Sequence, residues 1–187
     1  MKVVIVVDMQ NDFITGPLGS PEAQAIVPVM VERLQEYEDG NTLVIFTKDT
    51  HYSNYMNTQE GKNLPVPHCI DMTDGWCIDK RISSVVKHGN FLTYSTPEII
   101  NSRFKKTTFG SIPLAETIRG FQDEIEEIIL MGVCTDICVV SNAMLLKAYC
   151  PETLITVDAS CCAGVTPESH KAALQTMKMC QINVIGE

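Results

Sequence analysis

Apolar, β-branched runs alternate along this chain with stretches of helical spacing. Lys2–Val7 (KVVIVV) is continuously apolar after its first residue, the pattern of a strand covered on both faces. Ser20-Pro21-Glu22 reads as N-cap, first-turn proline and first-turn acid, and opens a helix to about Glu38 with Gly40 as its stop. Thr42–Thr47 (TLVIFT) predicts a second strand, and Glu127–Met131 (EIILM) and Leu154–Val157 (LITV) two more, with a helix over Thr135–Ala148 between them. Thr166-Pro167-Glu168 caps a last helix to about Met179, before a short strand at Asn183–Ile185. Thr73–Thr107, punctuated by HGN and STPE, resists ordering into elements.

Strands and helices alternating at this spacing predict βαβ units with right-handed crossovers. The expected fold is α/β: a single-domain, Rossmann-like three-layer αβα sandwich around a mainly parallel sheet, spanning 1–187. No apolar run approaches the ~18–20 residues of a membrane span. The opening MKVVIVVD is too short in its apolar part for a signal peptide, so a cytoplasmic protein is expected.

Composition narrows the partners. Lys and Arg total 14 against 23 Asp and Glu, a net charge of −9, which disfavours nucleic-acid and membrane-surface binding. Eight cysteines would suit a disulfide framework only in a small secreted domain. In a reducing compartment most are expected to act as small buried hydrophobes; the sequence does not say whether Cys150, Cys161 and Cys162 do more than pack. There is no C-x-x-C, P-loop, dinucleotide fingerprint or G-x-S-x-G elbow.

Ligands of open α/β sheets bind beyond the carboxyl ends of the strands. Asp8 follows the first strand; Asp49 and His51, in KDTHYSN, follow the second; GVCTDICVV, with Cys134 and Cys138, follows EIILM; Lys106 stands in KKTTFGS. A thiol at a helix start or beside a lysine gains thiolate character, and the same N–H groups can hold an oxyanion. The alternative for Cys134 and Cys138 is plain packing. Asp8 reads equally as a turn residue or a receiver-type phospho-acceptor, and Lys106 as a solvated charge. Asp49 and His51, two apart on an extended segment, point to the same side, and His68 in LPVPHC can complete an Asp/His/His set for zinc, iron or manganese. Unrelated loop histidines are the bland alternative.

Together, VVIVVDMQNDF, FTKDTHYSNYMNTQEGKNLPVPHC, KKTTFGS and MGVCTDICVVSNA, in this order, resemble the isochorismatase-like cysteine hydrolases, most closely their nicotinamidase/pyrazinamidase branch, over nearly the whole chain. The resemblance implies Asp8 as general base, Lys106 as catalytic lysine and Cys138 as nucleophile. It implies a cis peptide at Val133–Cys134 and an oxyanion hole from the Cys134 and Cys138 amides. It matches Asp49, His51 and His68 to the metal ligands, with Glu60 as an additional acidic ligand, and zinc leads the choice of one divalent metal over iron or manganese. Phe13 and Leu64 are the expected pocket walls. Two departures from the family pattern bear on the substrate: Leu64 and Pro65 stand where an aromatic usually precedes the histidine, and Asp71-Met72 replaces a small pair after His68-Cys69. The implied activity is hydrolysis of a small amide, nicotinamide foremost, in a homo-oligomer. The competing expectations are a sister hydrolase of another amide or ureido compound, and a non-catalytic binding module of the same fold.

Overall fold

A strand that is apolar at every position must be buried on both faces, and β1 (Lys2–Val7) shows how this chain does it. Val3, Ile5 and Val7 join one core and Val4 and Val6 the other. A computed structural model, describing residues 1–37, 40–86 and 103–187, gives one six-stranded sheet of order β3-β2-β1-β4-β5-β6, every pairing parallel. The other strands are β2 (Thr42–Asp49), β3 (Arg103–Lys106), β4 (Glu127–Val133), β5 (Leu154–Ala163) and β6 (Asn183–Ile185).

Helices α1 (Asn11–Ile14), α2 (Pro21–Glu36) and α4 (Lys80–Ser83) contribute to the core on one face of the sheet. Helices α5 (Ile112–Arg119), α6 (Val140–Tyr149) and α7 (Pro167–Met179) contribute to the core on the other. The short α3 (Gln59–Asn63) belongs to the irregular segment after β2. The layers are therefore those expected. The caps are as read: Ser20 accepts from the Ala23 N–H, and Thr166 forms a reciprocal capping box with Ser169. Among the described residues no helix is long and apolar enough to cross a membrane.

The differences lie at the strand ends. β2, β4 and β5 each run beyond their apolar stretches, carrying Asp49, Val133 and Ala163 to the sheet's carboxyl edge. The expected helix over Thr135–Ala148 is a wide π-turn, Thr135–Val139, followed by α6. Lys106 ends β3, which Arg103-Phe104-Lys105-Lys106 did not betray because two lysines and an arginine mask an edge strand. The HGN and STPE segments, and Glu38 at the expected helix end, lie outside the described residues. Gly132 permits the closest approach at the edge: it sits at φ 130°, and a Cβ there would stand 2.1 Å from the Val7 carbonyl oxygen.

Candidate active site

Three strand ends bring Asp8, Lys106 and Cys138 together. The Lys106 Nζ lies 2.6 Å from Asp8 Oδ2 and 3.5 Å from Cys138 Sγ. Asp8 is wholly buried and holds φ 50°, a left-handed conformation that non-glycine residues seldom adopt. Thr47, on the neighbouring strand, fixes it from two sides: its hydroxyl donates to Asp8 Oδ1 at 2.7 Å and accepts the Asp8 N–H at 3.2 Å. Lys106 also reaches Asp49 Oδ1 at 3.5 Å, which links this trio to the second cluster.

The turn that carries Cys138 is tied down along its length. The Val133–Cys134 peptide is cis. The Cys134 carbonyl accepts from both the Ile137 and Val139 N–H groups, the second bond spanning the wide turn. The Asn142 side chain donates to the Cys138 carbonyl at 2.8 Å and accepts the Ser111 N–H at 2.9 Å. Thr135 Oγ1 and His170 Nδ1 are 2.8 Å apart, and Asp136 accepts the Val165 N–H.

Burial sets the protonation of the trio. It pushes the Asp8 carboxyl up, against the pull of the Lys106 charge. For Lys106, burial is outweighed by Asp8, Cys138 and Asp49, and the ammonium is held more firmly than usual. Burial and the Asp8 charge push the Cys138 thiol well up, with Lys106 opposing them. On the Cys138 thiol the two neighbours therefore act in opposite senses, Asp8 raising it and Lys106 lowering it.

The second cluster gathers Asp49, His51, Glu60 and His68, whose ligand atoms all lie within 4.8 Å of one another. His51 Nε2 is 3.0 Å from Asp49 Oδ2 and 3.6 Å from Glu60 Oε1; His68 Nε2 is 3.4 Å and 3.8 Å from the same two oxygens. A tetrahedral zinc with bonds of ~2.1 Å needs ligand atoms about 3.4 Å apart, so the donor set fits a divalent ion. His68 Nδ1–H donates to the Val66 carbonyl at 2.8 Å, which leaves Nε2 facing the cluster. Burial works to raise the Asp49 carboxyl, but hydrogen bonds from His51 and His68 hold it well below the usual carboxylate range. Burial also pushes the Glu60 carboxyl up, partly countered by His51.

Members of both clusters line one cavity of about 370 Å³: Asp49, Glu60 and His68 from the second, Cys138 from the trio, with Cys134 beside it. Phe13 and Leu64 also line it, with the Phe13 ring tilted 59° to the His68 ring at a centroid distance of 5.5 Å. The Asp71-Met72 departure stays clear of this cavity's lining: Asp71 pairs with Lys105 at 2.9 Å and Met72 is exposed. Of the departures, only Leu64 bears on the cavity. All eight cysteines are free, and Cys150, Cys161 and Cys162 are buried.

Several contributors escaped the sequence reading. Phe109 and Ile137 line the cavity, and Tyr55 packs against both histidine rings. Gln10 donates to the Asp49 and Trp76 carbonyls, and Asp12 accepts the Cys69 N–H. The last two stand in DMQNDF, where spacing from Asp8 was the available signal.

The model of the isochorismatase domain family matches residues 2–186. The nicotinamidase/pyrazinamidase of Mycobacterium tuberculosis is 26% identical over 99% of this chain and 98% of its own. The nicotinamidase of Saccharomyces cerevisiae is 26% identical over the whole of both. The crystal structure of a nicotinamidase from Bacillus subtilis superposes with a TM-score of 0.76 at 28% identity, covering 98% of each chain. A Pyrococcus horikoshii pyrazinamidase in complex with zinc shares the fold, with a TM-score of 0.74 at 23% identity over 100% of this chain and 99% of its own.

Proposed function

Because the chain belongs to the isochorismatase family, we propose that it is a nicotinamidase, hydrolysing nicotinamide to nicotinate and ammonia through a thioester on Cys138. Its wider class, hydrolysis of the carbon–nitrogen bond of amides, follows from the family and its relatives. The observation that carries the finer reading is one cavity whose lining includes Cys138 of the buried Asp–Lys–Cys trio together with Asp49, Glu60 and His68 of the Asp/His/Glu/His cluster.

The carboxamide carbon sits against Cys138 Sγ. Asp8, its basicity raised by burial, takes the thiol proton as the C–S bond forms. Lys106 keeps its proton throughout and offsets the charge that passes between Sγ and the carboxylate. The oxyanion is held by the Cys134 and Cys138 N–H groups, each worth about 3 kcal/mol in the transition state. Asp8 returns its proton to the nitrogen, the C–N bond breaks and ammonia leaves. Water, deprotonated by Asp8, then attacks the thioester; the C–S bond breaks, nicotinate departs and Cys138 is again a thiol. A divalent metal held by Asp49, His51, Glu60 and His68, zinc before iron or manganese, would supply a Lewis-acid contact for the pyridine nitrogen and so orient the ring.

Ammonia release from nicotinamide by the purified, zinc-loaded protein tests the reading, run beside Cys138→Ala. Release by the wild type and none by the variant is expected. A folded, zinc-loaded wild type that releases no ammonia from nicotinamide overturns the substrate, and an active Cys138→Ala overturns the nucleophile.

A further inference from the structure

The DMQNDF segment supplies the catalytic base at Asp8, but its second aspartate has no part in that chemistry. We infer that Asp12 is a positioning residue for the metal cluster, setting His68 against His51 through the peptide of Cys69. The inference rests on the metal part of the proposed function. Asp12 Oδ2 accepts the Cys69 N–H at 2.7 Å, and the Cys69 carbonyl accepts the His51 N–H at 2.9 Å. One residue, adjacent to His68, is thus gripped by Asp12 on one side and by His51 on the other. The Asp71 N–H donates in turn to the His51 carbonyl at 2.8 Å, completing a short ladder between the two histidine segments.

Cys69 needs such a grip. It is wholly buried at φ 45°, in the left-handed region that residues other than glycine rarely adopt without a local constraint. The charge-assisted bond from its N–H to a carboxylate is a constraint of the stronger kind. It fixes the peptide that leaves His68, while the Nδ1 bond to Val66 fixes the ring.

Asp12 is itself caged. Its own N–H donates to the Gly75 carbonyl at 3.0 Å, and its carbonyl accepts the Leu18 N–H at 3.0 Å. A Cβ on Gly75 would stand 2.2 Å from both carboxylate oxygens. Since Oδ2 is already committed to Cys69, the carboxylate cannot swing aside without losing that bond. Glycine at 75 therefore belongs to the same device, and Gly75→Ala should reproduce the loss of Asp12 without altering it.

Outer partners of metal ligands typically change affinity by about 10- to 100-fold. Zinc affinity is measured by competition with a chromophoric chelator for the wild type, Asp12→Ala, Asp12→Asn and Gly75→Ala. The metal-free proteins are compared in parallel for the rate at which iodoacetamide alkylates Cys138. Expected is zinc binding weakened about 10- to 100-fold in Asp12→Ala and Gly75→Ala. Asp12→Asn, which keeps an acceptor oxygen without the charge, should fall between them and the wild type. Cys138 alkylation should stay within about twofold throughout, because the trio does not touch Asp12. Wild-type affinity in Asp12→Ala overturns the inference. Collapse of alkylation alongside zinc binding also overturns it, by showing a general structural role. A wild type that binds no zinc refutes the metal reading itself, a different and distinguishable failure.

Discussion

Asp8, Lys106 and the Cys138 turn hang from the carboxyl ends of β1, β3 and β4, whereas His51, Glu60 and His68 come from the irregular segment between β2 and α4. The first group is placed by sheet register. Thr47 pairs with Phe104 and Asp49 with Lys106 across the β2–β3 ladder, so the strands that carry the fold also set the Lys106-to-Asp8 distance. The second group depends on contacts outside the sheet ladders: the His68 ring to Val66, Cys69 to Asp12, Tyr55 against both rings. Register is shared with the core and is hard to disturb locally. A cluster assembled from loop bonds can be dismantled one bond at a time. Asp49, at the end of β2 and 3.5 Å from Lys106, is where the two meet.

If the two regions are separable, their largest defects should be reciprocal. Cys138→Ala is expected to lower amide hydrolysis by at least about 10⁴-fold, as loss of a nucleophile does, while retaining wild-type metal content. His51→Ala should lose bound metal on dialysis yet leave Cys138 in the metal-free protein open to alkylation at the wild-type rate. Metal analysis and alkylation kinetics on both variants read this directly. Release of metal by Cys138→Ala would mean that the two regions are one unit.

Next in size is a difference in stability. Lys106→Met leaves Asp8 wholly buried without its cation, and breaking such a pair costs about 3–5 kcal/mol. Glu60→Gln removes a partly exposed carboxylate at the edge of its cluster, and should change stability by less than about 1 kcal/mol while weakening metal binding roughly tenfold. Urea unfolding of the two metal-free variants compares them. Equal losses would erase the distinction between a region built into the sheet and one laid on it.

The same distinction governs what could be read from the sequence. The residues at strand ends were legible because apolar runs locate strands and strand ends locate ligands: Asp8 after KVVIVV, Asp49 after TLVIFT, Cys134 and Cys138 after EIILM. Lys106 was harder, since an edge strand of sequence RFKK has no apolar run to mark it. β5 outran its apolar LITV because DASCCA is buried by small side chains that carry no strand signal. The balance of charges on the Cys138 thiol escaped altogether. A lysine near a cysteine suggests thiolate, but the balance turns on burial and on Asp8, which only the fold supplies. In the loop-built cluster the ligands were legible as residue types. The bonds that aim them were not, because Asp12 and Cys69 are 57 residues apart and nothing local links them.

His170 gives the smallest and most specific comparison, since it braces the sheet-built region from outside through Thr135. Burial holds its imidazole below the ordinary value, with Asp136 and Glu187 pulling the other way. The unfolded chain therefore takes up this proton first as the pH falls. The stabilising contribution is complete above the unfolded value of about 6.5 and is lost as the pH drops through the lower folded value. The melting temperature of the wild type should then fall between pH 7 and pH 5 more steeply than that of His170→Gln, by on the order of one or two degrees. Zinc affinity at pH 7 should not change, because His170 has no contact with that cluster. Parallel melting curves would mean that His170 takes up its proton as readily in the folded protein, and that Thr135 does not depend on it to hold the nucleophile turn.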